Sequence, residues 1–124
     1  MNVTSRRFAN AVVLHIDGRL DQDTCGDFTR ELMVHVDSMA HGGGAVILDL
    51  AGLEYISSAG LRCFMLASRQ AKQHQMKIYV AGLQAMVREI FEISHFNLIF
   101  QVFPTVREAL ATISPDAAVA FDKG

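Results

Sequence analysis

Along this chain the spacing of hydrophobic positions changes repeatedly from a period of two to a period near 3.6, and each change marks an expected element. Val3 to Phe8 and Ala11 to Asp17, separated by Ala9-Asn10, read as two strands joined by a tight turn, the second richer in apolar residues. Gly18 is expected to break that strand. Arg19 to Thr24 then forms a polar loop in which Asp23 or Thr24 caps the next helix. Phe28, Leu32, Val36 and Met39 recur at helical spacing and predict an amphipathic helix ending at Ala40-His41, before Gly42-Gly43-Gly44. Ala45 to Leu50 is an apolar run with one charge, Asp49, and its β-branched Val46 and Ile47 suit a central strand buried on both faces.

After Gly52, which marks a turn, Ile56 precedes two adjacent serines that open a helix extending to about Gln73. Ser57 or Ser58 can cap it, and Ser57 is the better N-cap: Ile56 and Leu61 then occupy the positions that pack as a hydrophobic staple. Leu61, Phe64, Met65 and Ser68 fall on one face. Ser58 becomes the first helical residue, its hydroxyl not needed for capping, with only Ala59 and Gly60 beside it. Lys77 to Val80 follows as a strand, and strand, helix and strand in that order imply a right-handed parallel crossover. A helix over Leu83 to Ile93 is expected to bury Met86, Ile90 and Ile93, with Phe91 beside them, and to be interrupted at Ser94-His95. Leu98 to Phe103 reads as the last strand. Pro104-Thr105 starts a last helix with Val106, Ala109, Leu110 and Ile113 inward, and Pro115 follows its end. The expected architecture is one α/β domain over residues 1–113, a mixed sheet of about five strands with about four helices. Residues 114–124 form a C-terminal tail with no assigned element.

Composition narrows the function classes. A chain of 124 residues holds one domain with a real core. Its 51% hydrophobic content argues against disorder, and a formal charge of -2 offers no general attraction for DNA or RNA. No apolar run approaches the length of a membrane span, and the start MNVTSRRF lacks the apolar core of a signal peptide, so a cytoplasmic protein without membrane insertion is expected. Cys25 and Cys63 have no CxxC spacing and read as ordinary reduced thiols.

Catalytic and metal chemistry find little support. His15, His35, His41, His74 and His95 are dispersed and form no HxxxH-type pair. His15, inside a strand with apolar neighbours, reads as a half-exposed strand residue ahead of a functional one. Ile56-Ser57-Ser58-Ala59-Gly60 is not the G-x-S-x-G elbow of a serine hydrolase, and Gly42 to Gly44 precede a strand with no GK[ST] after them, which suits a plain turn. Asp49 interrupts a buried strand, so it must accept hydrogen bonds from the adjacent loop or reach water at the strand end.

Three segments together carry a resemblance: Gly18-Arg19-Leu20-Asp21, the strand Val46-Ile47-Leu48-Asp49-Leu50, and Tyr55-Ile56-Ser57-Ser58-Ala59-Gly60-Leu61. In this arrangement the chain closely resembles the STAS domain of bacterial anti-sigma factor antagonists, over about Val3 to Ile113. The resemblance implies that the serine before a residue-Gly-Leu step, here Ser58, is phosphorylated by a partner kinase that doubles as the anti-sigma factor, with Ser57 the alternative acceptor. The family's best-known pattern, Asp-Ser-Ser/Thr-Gly-Leu, is altered here: Ser57 replaces the acidic residue and Ala59 the second hydroxyl. It further implies that Asp21, in the loop beside that serine, contacts the kinase; the plainer reading is that Asp21 or Asp23 only orders a helix start. Arg62, one turn after the serines, reads as a steering charge for a partner or as a solvated helix charge.

The partner-binding set expected from all this is Asp21, Asp23, Ser57, Ser58, Gly60 and Arg62. The implied partners are a serine kinase with an ATPase fold related to histidine kinases and a metal-dependent serine phosphatase. The chain itself is then a non-enzymatic switch with no cofactor, no metal and no catalytic residue. The alternative is a STAS binding module of a lipid transporter or sensory assembly, without a phospho-switch. Oligomeric state and the final regulated target are not specified by the sequence.

Overall fold

A computed structural model describes residues 1–39 and 44–124. The expected helix end at Ala40-His41, the glycines Gly42 and Gly43, and the Met39 side chain lie outside the described residues.

The chain opens with a hairpin of β1 (Asn2–Phe8) and β2 (Ala11–Leu20), paired antiparallel from Asn2↔Asp17 to Phe8↔Ala11. β3 (Ala45–Asp49), β5 (Lys77–Ala81) and β6 (Gln101–Phe103) extend the sheet in parallel in the order β1-β2-β3-β5-β6. A short strand the sequence reading missed, β4 (Leu53–Ile56), pairs parallel with the far end of β2. The sheet of the described residues therefore has six strands rather than five. The same pairing corrects the expectation that Gly18 ends β2. Gly18 adopts a φ of 104°, a conformation only glycine takes cheaply, and the register shifts between Gly18 and Arg19. The strand bends there and leaves β3 for β4.

Alternation along the strands divides the core. Val12 and Leu14 of β2, paired with Val46 and Leu48 of β3 and through them with Ile78 and Val80 of β5, face the large cluster. Its cover is α1 (Cys25–Met39), α2 (Ser58–Gln73) and α3 (Ala85–Ile93). Phe64 of α2 sits at its centre, with ring centroids 5.6 Å from Phe28, 5.6 Å from Phe91 and 5.1 Å from Phe100. On the opposite face Ala11, Val13, Ile47 and Ala81 meet Ala109 and Leu110 of α4 (Val106–Ile113) and Ala117 of α5 (Pro115–Lys123). Because helices cover both faces, Val46, Ile47 and Leu48 are fully buried, as the β-branched run required.

Several local expectations change. α3 buries Val87 and Phe91, while Met86 and Ile93, expected inward, are 57% and 71% exposed. Apolar residues at 86, 87, 90, 91 and 93 lay out two overlapping stripes, and only the sheet decides between them. The start of the expected last strand is instead a 3-10 turn over Phe96–Leu98 with Leu98 exposed, so β6 has only three residues. Pro115 begins a helix rather than merely following one. α5 lays Phe121 edge-on to Phe8, 5.4 Å between centroids, and Asp122 takes two 2.9 Å hydrogen bonds from Arg107 of α4. Each side of that pair shifts the other's titration: the bonds to Arg107 lower the Asp122 carboxyl and raise the Arg107 guanidinium.

The cysteines also depart from expectation, since the structure joins Cys25 of α1 and Cys63 of α2 in a disulfide. The 38-residue separation hides from the sequence what packing of the two helices makes adjacent. Among the described residues no helix is long and apolar enough to cross a membrane.

Candidate functional site

The site is built on the end of β2. Leu20 pairs with Ile56 of β4, and the Leu20 carbonyl accepts the Ser57 amide at 3.0 Å, so the segment after β2 and the start of α2 are held side by side. Ser57 then turns the chain into α2. Its backbone is extended, φ -84° and ψ 172°, and its hydroxyl accepts the Gly60 amide at 3.0 Å. Its carbonyl accepts the Leu61 amide at 2.8 Å. Ile56 belongs to the large core cluster, and Leu61, partly buried, packs against that cluster.

Ser57 is thus committed through its amide, carbonyl and hydroxyl. Ser58, the first residue of α2, is exposed, and no side-chain hydrogen bond engages it among the described residues. Its surroundings favour an anion: the first helical turn presents amides without intrahelical partners and the positive end of the helix dipole. Gly60 is buried beneath this surface. A side chain there would collide with the Leu20 backbone carbonyl, so the glycine sets how closely α2 approaches β2. Gly60, expected among the partner contacts, lies directly beneath the exposed Ser58 at this packing contact. The buried face of α2 runs through Cys63, Phe64, Ala67, Ser68 and Ala71, with Leu61 and Met65 only partly buried.

The loop after β2 is closed on itself. Asp21 Oδ1 accepts the amides of Asp23 at 3.0 Å and Thr24 at 3.2 Å, while Thr24 Oγ1 accepts the Asp21 amide at 3.0 Å. The Thr24 hydroxyl also lies 3.0 Å from the Arg19 carbonyl, to which it donates. Thr24 holds the N-cap position, its carbonyl accepting the Phe28 amide at 3.0 Å, but its hydroxyl serves the loop rather than the helix. Asp21 therefore orders the loop that leads into α1. Asp23 and Arg62 are both exposed.

Two pairings at this end escaped the sequence, Arg19 with Tyr55 and His15 with Asp49. Arg19 stacks over the Tyr55 ring at 4.4 Å, opposite it in the β2/β4 pairing. Only the β4 pairing could have revealed it. Asp49, at the end of β3, takes a 2.7 Å hydrogen bond with His15 Nδ1 through one oxygen and the Ala51 amide at 3.0 Å through the other. The part-buried carboxylate is satisfied as expected, and it fixes the turn that leads to β4 and the serines. His15 is a half-buried strand residue paired to Asp49.

Other chemistry is not assembled at this end. Among the described residues no three His, Cys, Asp or Glu side chains come together as metal ligands. A cleft of about 220 Å³ lined by Leu83, Arg88, Val102, Phe103 and Pro104 includes none of the residues singled out in the sequence.

Comparison with known proteins agrees with this architecture. The sequence profile of the STAS domain matches residues 2–109. BtrV of Bordetella bronchiseptica, a candidate anti-sigma factor antagonist, is 37% identical over 111 residues, covering 90% of this chain and 92% of BtrV. The anti-sigma factor antagonist SpoIIAA in its unphosphorylated form superposes with a TM-score of 0.63 at 14% identity, covering 90% of this chain and 97% of that one. The phosphorylated form of SpoIIAA, from Bacillus, gives 0.65 at 15% identity, with 91% and 100% covered. Part of the murine anion transporter Slc26a9 gives 0.71 at 18% identity, over 95% of this chain but 18% of the transporter. At these identities the solved structures speak to the fold alone.

Proposed function

The chain belongs to the STAS domain family, among the anti-sigma factor antagonists, and from that premise we propose that it is a partner-switching regulator controlled by phosphorylation of Ser58. Unphosphorylated, it binds an anti-sigma factor that is also a serine kinase of the histidine-kinase-like ATPase fold. That kinase transfers the γ-phosphoryl group of ATP to the Ser58 oxygen, releasing ADP and the hydroxyl proton. A metal-dependent serine phosphatase restores the hydroxyl. The protein is substrate and ligand here, not enzyme, and needs no cofactor of its own.

One observation carries the choice of residue: the Ser57 hydroxyl is used in capping α2, whereas the Ser58 hydroxyl is exposed and uncommitted. A phosphate on Ser58 adds roughly 1.5 to 2 negative charges at a helix start that tolerates them. The fold has no reason to change. A docked partner does, because the new charge must be desolvated or repelled in its interface, and a hundredfold loss of affinity needs only about 2.7 kcal/mol. Asp21, Asp23 and Arg62 are the proposed partner contacts around it.

The test uses the cognate kinase with ATP. One phosphate should be added to the wild-type protein, lost in Ser58→Ala and largely kept in Ser57→Ala, as read by mass spectrometry. Calorimetry should show the phosphorylated form binding the kinase about a hundredfold more weakly, with an unchanged circular dichroism spectrum. A phosphate found on Ser57, or equal affinity of the two forms, rejects the reading. A second reading is a STAS binding module of a lipid transporter or sensory assembly without a phospho-switch; part of the anion transporter Slc26a9 shares the fold. Neighbouring genes separate the two: kinase and phosphatase genes favour the switch, transporter genes the module.

A further inference from the structure

The disulfide between Cys25 and Cys63 has no part in the proposed phosphoryl transfer, yet its position is specific. Cys25 opens α1 immediately after Thr24, which closes the Asp21 loop, and Cys63 lies on the buried face of α2 five positions beyond Ser58. Their Cα atoms are 5.9 Å apart, within the span a disulfide crosses without backbone movement. The same pocket also suits free thiols. Cys63 Sγ lies 3.4 Å from the Cys25 carbonyl oxygen and 3.6 Å from Thr29 Oγ1, so a reduced Cys63 has an acceptor in reach. Thr29 in turn donates to the Cys25 carbonyl at 3.0 Å.

We propose that Cys25 and Cys63 form a reversible thiol–disulfide modification site that fastens the Asp21 loop to the helix carrying Ser58. Its oxidant is a low-molecular-weight disulfide of the glutathione type. The exposures set the order of events: Cys63 is 4% exposed, whereas Cys25 is partly open to solvent. The Cys25 thiolate attacks one sulfur of the small disulfide, forming a mixed disulfide and expelling a first small thiolate. The Cys63 thiolate then attacks the Cys25 sulfur and expels a second. Two protein thiols and one small disulfide become one protein disulfide and two small thiols, the protons passing to the departing thiolates. Two electrons move from protein to oxidant. Closing the bond ties the start of α1 to the second turn of α2, so the loop and the helix start meet a partner as one preformed surface. That last consequence rests on the reading of Ser58 as the partner-facing residue; the thiol chemistry does not.

The experiment separates the two. Purified protein is equilibrated in buffers of varied reduced and oxidised glutathione, alkylated and weighed intact. Wild type should pass reversibly from doubly alkylated to unalkylated with no lasting glutathione adduct. Cys63→Ala should hold a glutathione on Cys25, and Cys25→Ala should stay largely unmodified. Free thiols persisting in excess oxidised glutathione, a bond persisting in excess reduced glutathione, or the adduct forming on Cys63 instead would overturn the site. Should either variant fail to fold, wild type alone decides through hydrogen exchange. Segments 21–29 and 57–64 should exchange about tenfold more slowly when oxidised, and an equal rate in both states rejects the fastening. With the cognate kinase, the oxidised form should be phosphorylated severalfold faster. If the glutathione and exchange results hold while Ser58 accepts no phosphate in either state, the modification site stands and the phospho-switch falls.

Discussion

The two faces of the sheet are built from different materials. One is filled by phenylalanines gathered around Phe64 and covered by α1, α2 and α3; the other has Ala11, Ala81, Ala109 and Ala117 with Val13, Ile47 and Leu110 at its centre and the aromatic pairs Phe8–Phe121 and Tyr79–Phe103 around them, closed by α4 and α5. The candidate partner surface, with the starts of α1 and α2, lies on the Phe64 side. Large rings with few rotamers hold those helix starts by long-range packing, so a charge can be added to Ser58 without loosening what positions it. The second face instead lets helices lie close to the sheet over its alanines, with the exposed Arg107–Asp122 pair at its perimeter.

Substitutions can break this contrast. Phe64→Ala should cost about 4 kcal/mol in urea unfolding, against about 3 kcal/mol for Leu110→Ala on the opposite face. A larger loss at Leu110 would mean that the second face, not the one around Phe64, dominates stability. Gly60→Ala should follow at about 2 kcal/mol, because the added methyl drives α2 off the Leu20 carbonyl. Its near-neutrality would show that the helix start has room to move. Ser57→Ala should cost about 1 kcal/mol through loss of the cap, with Ser58→Ala within about 0.5 kcal/mol of wild type. Equal costs would remove the distinction between the two hydroxyls.

The smallest effect concerns the other face and pH. Asp122 has a lowered folded-state carboxyl value, so its contribution is present above the ordinary carboxylate range and is lost as pH falls through that lowered value. The Arg107 partner stays charged throughout. Being exposed, the pair should shift the melting temperature only slightly. The difference between wild type and Asp122→Asn should shrink below about pH 4, and a constant difference would show that the carboxylate charge is not the source.

What the sequence disclosed was local. The Ser57 cap, the helix start at Pro104-Thr105, the buried run of β3 and the α1 stripe of Phe28, Leu32 and Val36 each depend on residues within one or two turns of each other. What stayed hidden needed the third dimension. β4 is four residues whose partner is the far end of β2, beyond a bulge. The α3 face was undecided between two stripes, and Leu98-Ile99 looked like strand although nothing in the sheet receives it. The disulfide joins helices 38 residues apart. At the site, the sequence picked out both serines and the Asp21 loop, but the Arg19 stacking on Tyr55 and the burial of Gly60 both follow from the unseen β2/β4 pairing.

That change of partner by β2 at Gly18 also has a consequence in time. The hairpin closes over a two-residue turn, whereas pairing β2 with β4 requires a parallel crossover through α1 and β3, a slower event. Until it happens, the Leu20 carbonyl is not there to receive the Ser57 amide, and Ser58 does not stand at an anchored helix start. On the proposed function, a kinase that recognises this geometry meets its substrate only once folding is finished, so newly made or partly unfolded chains escape phosphorylation.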